Sequence, residues 1–194
     1  MVGQPGESRD AGTAGVDDLQ RAVQELNAEL RAQQEELEQA AEHTERATRS
    51  LAEVALEFLY RGDSIRVAVG ERIFNGQVTH VGTGVMTLRT PGAAEIDIAY
   101  DGLGSIRVVN RAAEGGRART STHPGEMVAR LRELENSGEP VELGGAGLVQ
   151  SLEGAVVVVA RSHVEFRARD GSEWVVPLGE IGYVIRVSGG PWSS

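Results

Sequence analysis

Neither cysteine nor lysine occurs in the 194 residues. Without cysteine there are no disulfides, no thiolate metal ligands and no thiol nucleophile, and the composition suits a reducing cytoplasm. Without lysine there is no Schiff-base amine and no phosphate-loop ammonium. All 19 basic residues are arginine. Aromatics make up 4% of the chain, so its cores have to be built from Val, Leu and Ile. Long apolar runs are missing as well. The longest, residues 155–160, is far too short to cross a bilayer. Residues 1–16 lack the basic start and apolar centre of a secretory leader. A cytoplasmic protein without membrane association is expected.

Catalytic patterns are equally scarce. The four histidines, His43, His80, His123 and His163, show no metal-ligand spacing. His80 and His163 read as solvent-side strand residues. Neither Gly-x-Ser-x-Gly nor His-Glu-x-x-His occurs. Gly144-Gly145-Ala146-Gly147 precedes a strand where a phosphate site needs a helix N-terminus, so it reads as a hairpin loop. Glu95 and Asp97 alternate with Ile96 and Ile98, which places both carboxylates on one solvent-facing strand side. The expectation is a protein that is not an enzyme and takes neither cofactor nor metal.

What the chain does have is a heptad seam. Leu19, Val23, Leu26, Leu30, Gln33, Leu37, Ala40, Thr44, Ala47, Leu51, Val54 and Phe58 follow one another at alternating steps of four and three. That spacing predicts a long helix over 16–60 lying against a partner helix. Leu19, Val23, Leu26, Leu30 and Leu37 are its oligomerisation residues, and a homodimer through 19–47 is the first reading. Asp17 and Asp18 suit the helix start, and Gly62-Asp63 its end. Residues 1–15 read as a disordered tail. Residues 1–60 hold 13 acidic residues and 5 arginines, net −8 of the total −10, so the β-rich remainder is almost neutral.

From Ser64 the apolar period changes to two, with Gly punctuation. Strands are expected over 65–69, 72–81, 84–90, 94–100 and 104–109. Residues 110–122 form an arginine-bearing linker. A short helix over 123–137 follows, capped by Ser121 or Thr122 and stopped by Gly138. A second β segment fills 138–188, and 189–194 form a tail. The two β segments align at an offset of 78 without a gap: Gly76 on Gly154, Leu88 on Phe166, Arg89 on Arg167, Ile96 on Trp174, Ile106 on Val184. A slip of two residues brings Gly62 onto Gly138, and Leu51, Ala55 and Phe58 onto Met127, Leu131 and Leu134. The repeating unit is one helix followed by five strands, so residues 51–60 also cover the first β module. Phe166 and Trp174 read as core.

Residues 70–90, GERIFNGQVTHVGTGVMTLRT, have a glycine in a long second strand, a turn and an apolar third strand. This resembles the first motif of the Sm-like group of small SH3-like barrels, over about 51–109 and again 125–187. Together with the long N-terminal coiled-coil helix read from the heptad seam, the resemblance implies an α+β chain with two tandem helix-plus-five-stranded barrels over 61–109 and 138–188. It also implies RNA binding through an Asn in the third strand and a basic-Gly turn before the fifth. Met86 and Thr87 stand near the first position here, and Asp101-Gly102 at the second. Other SH3-like barrels mostly bind proteins. The favoured reading is a homo-oligomeric scaffold that binds a protein partner. The alternative is an RNA- or DNA-binding regulator, with Arg89, Arg161, Arg167 and Arg169 on the phosphates.

Overall fold

The computed structural model describes residues 11–112 and 125–186, and only the backbone of 11–22. The chain divides into two compact units, residues 1–49 and 50–194.

Among the described residues the first unit is one helix, α1 (Ala11–Thr48). Its 38 residues span about 57 Å at about 1.5 Å per residue. It begins earlier than expected, so Asp17 and Asp18 lie inside the helix; the expected tail falls partly on residues 1–10, which lie outside the described ones. Residues 23–48 are exposed all round. Ion pairs one turn apart, Arg46–Glu42 at 3.4 Å and Arg49–Glu45 at 3.2 Å, support its last turns. The side chain of Leu19 lies outside the described residues.

The expected single helix over 16–60 is in fact two. Ser50 takes an extended conformation, accepts from the Glu53 N–H, and donates its own N–H to the Glu53 carboxylate. This reciprocal capping box starts a new helix, α2 (Leu51–Arg61), and satisfies amides that a continuous helix would have bonded internally. Gly62 ends α2 in the left-handed region, with its N–H on the Phe58 carbonyl at 2.9 Å. The last three seam positions therefore belong to the second unit, where Ala55 and Leu59 are buried against the sheet.

The second unit holds ten antiparallel strands: β1 (Ser64–Val69), β2 (Arg72–Val81), β3 (Val85–Arg89), β4 (Glu95–Ala99), β5 (Ser105–Asn110), β6 (Val141–Gly144), β7 (Leu152–Val159), β8 (His163–Ala168), β9 (Glu173–Pro177) and β10 (Tyr183–Arg186). A helix, α3 (Met127–Ser137), stands between β5 and β6. Its described N-cap is Glu126, without a side-chain cap bond; the expected caps Ser121 and Thr122 lie outside the described residues. In place of the two expected barrels, the strands form one open sheet in the order β5-β1-β2-β3-β4-β10-β6-β7-β8-β9. β4 and β10 are the seam that joins its halves.

The halves repeat each other in detail. β2–β3 shifts register between Val78 and His80, β7–β8 between Val156 and Val158. Gly82 donates to the Val85 carbonyl, Ala160 to that of His163; Gly104 to Ala68, Gly182 to Gly144. Gly76 and Gly154 answer to one constraint: a Cβ on either would run into the backbone of the crossing strand at Arg89 or Arg167. The two-residue slip lies in the β6–β7 connection, where residues 145–151 replace the tighter β1–β2 turn.

Each half has its own core, and each core takes residues from across the seam. Leu131, Leu134, Val141, Leu143, Val164, Phe166 and Val184 are joined by Val85 and Ala99 of the first half. Ile65, Val67, Met86, Leu88 and Ile98 are joined by Tyr183 of the second.

Candidate functional site: the seam between the sheet halves

The β4–β10 ladder pairs Tyr183 with Ile98, Val184 with Asp97 and Ile185 with Ile96. One backbone bond, from Ala99 N–H to the Gly182 carbonyl at 2.9 Å, extends it. Behind the ladder, α3 lays Arg130 over β4. Arg130 Nη2 lies 3.5 Å from Asp97 Oδ1, and both side chains are almost fully buried. Thr87 Oγ1 donates to the same carboxylate oxygen at 2.6 Å and accepts from Arg130 at 3.3 Å. Arg130 also donates to Glu133 at 3.1 Å, and Glu133 lies 3.7 Å from Arg186. A charged network thus crosses the seam with its innermost members hydrogen-bonded, the condition under which buried charge is tolerated. The alternating pattern places Asp97 on a solvent face. That expectation fails because α3 covers β4, through a contact between Asp97 and Arg130, 33 residues apart in sequence.

At one end of the seam Tyr183 stands edge-on to Phe74, with ring centroids 4.9 Å apart. Its hydroxyl donates to Glu142 at 3.0 Å and accepts from Arg72 at 3.3 Å. Arg72 also pairs directly with Glu142. Burial pushes the Tyr183 phenol upward, and the hydrogen bonds to Tyr183 and Glu142 hold the Arg72 guanidinium above its already high value. Arg72 and Tyr183 line a cavity of about 290 Å³ together with Gly70, Glu71 and the 145–151 loop. Of its two charged residues, Arg72 is paired with Glu142.

The expected nucleic-acid residues do not all come together. Arg89 is on β3 and Arg167 on β8, separated by four strands. That is roughly 24 Å at about 4.8 Å per strand. Each faces a carboxylate on the next strand at equivalent repeat positions: Arg89–Glu95 at 2.7 Å and Arg167–Glu173 at 3.7 Å. The hydrogen bond from Arg89 holds the Glu95 carboxyl below its ordinary value, against the opposing effect of partial burial. Arg169 lies 3.9 Å from Glu153 and with Arg167 borders a second cavity of about 310 Å³. Arg161 is exposed at the β7–β8 turn. His80 is buried rather than solvent-side, and Trp174 is exposed on an edge strand rather than core; Phe166 is core. No group of metal-ligating side chains occurs among the described residues. None of the described helices is long and apolar enough to cross a membrane.

Sequence reasoning misses the seam itself. Its signals are departures from the repeat, among them Arg130 where α2 has Val54, and Asp97 where β9 has Val175. No protein-family model matches this chain, and no curated protein matches it.

Proposed function

We propose that this chain is a non-enzymatic, homo-oligomeric scaffold of the cytoplasm that binds a protein partner. In this reading α1 pairs with α1 of a second copy as a coiled coil, and each half of the sheet is a curled, Sm-like or SH3-like module presenting a binding surface. The observation that carries it is the exposure of Val23, Leu26, Leu30 and Leu37 along one stripe of a helix about 57 Å long. Four large apolar residues at heptad spacing are held in water by nothing else in that helix. A second helix of the same pattern covers them. The pairing of Arg130 with Asp97 and Glu133 at the seam supports a structural rather than a catalytic role.

The test is the light-scattering mass of the full chain against Leu30→Asp with Leu37→Asp. Both positions are exposed. The mass of the smallest stable species should fall by half. An unchanged mass sinks the coiled coil. A mass gain on adding a random RNA pool at low salt, lost at moderate salt, replaces the scaffold reading with phosphate binding by Arg167 and Arg169, which already share a cavity wall.

A further inference from the structure

The two outer strands of the sheet, β5 and β9, are the repeat equivalents of the two strands joined at the seam. β5 corresponds to β10, and β9 to β4. Among the described residues no other strand covers either outer edge. We propose that a second copy of this chain adds its β9 to the β5 edge of the first, repeating between copies the seam that β4 and β10 make within one. The register follows from the seam. Val184↔Asp97 and Ile185↔Ile96 become Ile106↔Val175 and Arg107↔Trp174 of the next copy.

Two independent features carry this. The first is burial. Positions covered at the seam are open at the edges: Val175 is 68% exposed against 2% for Asp97, Trp174 40% against 3% for Ile96, and Leu51 44% against 9% for Met127. Adjacent large apolar residues on an uncovered edge strand invite pairing with another strand. The second is chemistry. At the seam, α3 presents Arg130 to Asp97. At the edges the equivalent residues are Val54 on α2 and Val175 on β9. Changing one member alone would leave a buried charge facing an apolar group. Changing both keeps the contact matched, as is required if α2 of one copy covers β9 of the next.

Two other exchanges set the strength. Pro177 stands where Ala99 donates to Gly182, so that ladder bond is lost. Ser105 stands where Tyr183 plugs the seam, so the aromatic contact is lost as well. The contact between copies is weaker than the seam and reversible. Because its two edges differ, it runs head to tail and builds rings or chains rather than a closed pair.

The experiment uses the full chain, which has no cysteine of its own. Ile106→Cys and Val175→Cys are made singly and together, each with Leu30→Asp so that helix pairing does not hold copies together. Paired strands bring such residues to about 5.5 Å, within disulfide reach. The two single variants, mixed and oxidised, should form a disulfide dimer that neither forms alone. The chain carrying both should form a ladder of dimer, trimer and larger bands. Equal dimer yield from Val175→Cys alone, or no cross-link at any concentration, overturns the proposal. A second labelled chain, with Arg107→Cys and Trp174→Cys, leaves position 175 free to vary and should form the same ladder. In it, Val54→Arg or Val175→Asp alone should abolish the ladder. The two together should restore it by recreating the Arg130–Asp97 pair; failure to restore overturns the register. The inference does not depend on the coiled coil, whose failure shows instead as an unchanged mass of Leu30→Asp with Leu37→Asp in the otherwise native chain.

Discussion

The two halves of the sheet share strand order, register shifts and turn bonds, yet they solve the same packing problem with opposite chemistry. The second half meets its neighbour through Arg130, Asp97 and Tyr183. The first half has Val54 and Ser105 at the corresponding places, and the second half's own outer strand has Val175 and Pro177. What is common to the halves is the backbone. Among the differences are the positions that face another module, so those contacts can change while the shared strand order and register stay fixed.

The largest effect should come from breaking the seam's charge pair. Asp97→Ala leaves Arg130 buried without its carboxylate and should cost about 3–5 kcal/mol in urea unfolding. Asp97→Val with Arg130→Val transplants the other half's solution and should recover most of that loss, since apolar replacement of a whole buried pair is often neutral or stabilising. A double variant as unstable as Asp97→Ala would mean that the seam needs charge, and the comparison between the two contacts would fail.

A smaller effect tests what the halves share. Gly154→Ala and Gly76→Ala each drive a Cβ into the backbone of the strand crossing it. Both should lower stability by about 1–3 kcal/mol, as overpacking does, with Gly154 the more sensitive because its clash is the closer. Thermal melts of the two variants check this, and indifference at either site would show that the halves are less alike than their registers.

The smallest effect concerns Tyr100, whose repeat counterpart is Leu178. Its buried hydroxyl has no hydrogen-bond partner among the described residues, and burial pushes the phenol from 10.0 up to about 12. A raised value means that the folded state holds its proton longer than the unfolded chain. The contribution to stability is intact below pH 10.0 and is lost as pH rises from there to about 12. Tyr100→Phe should be neutral to about 1 kcal/mol stabilising at neutral pH, because no bond is lost. It should flatten the fall in stability above pH 10.0, measured by unfolding on either side of that value.

Much of the fold is legible in the amino-acid sequence. Apolar alternation locates all ten strands, because a strand buried on one face must repeat with period two. The self-alignment at offset 78 locates the two halves and pairs Gly76 with Gly154. The heptad stripe locates α1, although its period runs on through Ser50, because a capping box inside a helical pattern reads as helix-tolerant residues, whereas Ser50 takes an extended conformation. The misplaced residues have one thing in common. The pattern assigns Asp97, His80 and Trp174 each a face from its own strand, whereas burial is set by what lies beside that strand: α3 over Asp97, and, among the described residues, no strand on the outer side of Trp174.

The sequence by itself determined the strands, their number and their duplication, since periodicity and turn residues act within a few positions of one another. Only the tertiary structure decided that the halves join as one sheet through β4 and β10, and that Arg130, Asp97 and Thr87 meet there. Those contacts depend on which edge is left open after each half folds and on which residues then lie within a few ångströms, quantities that a one-dimensional pattern does not carry.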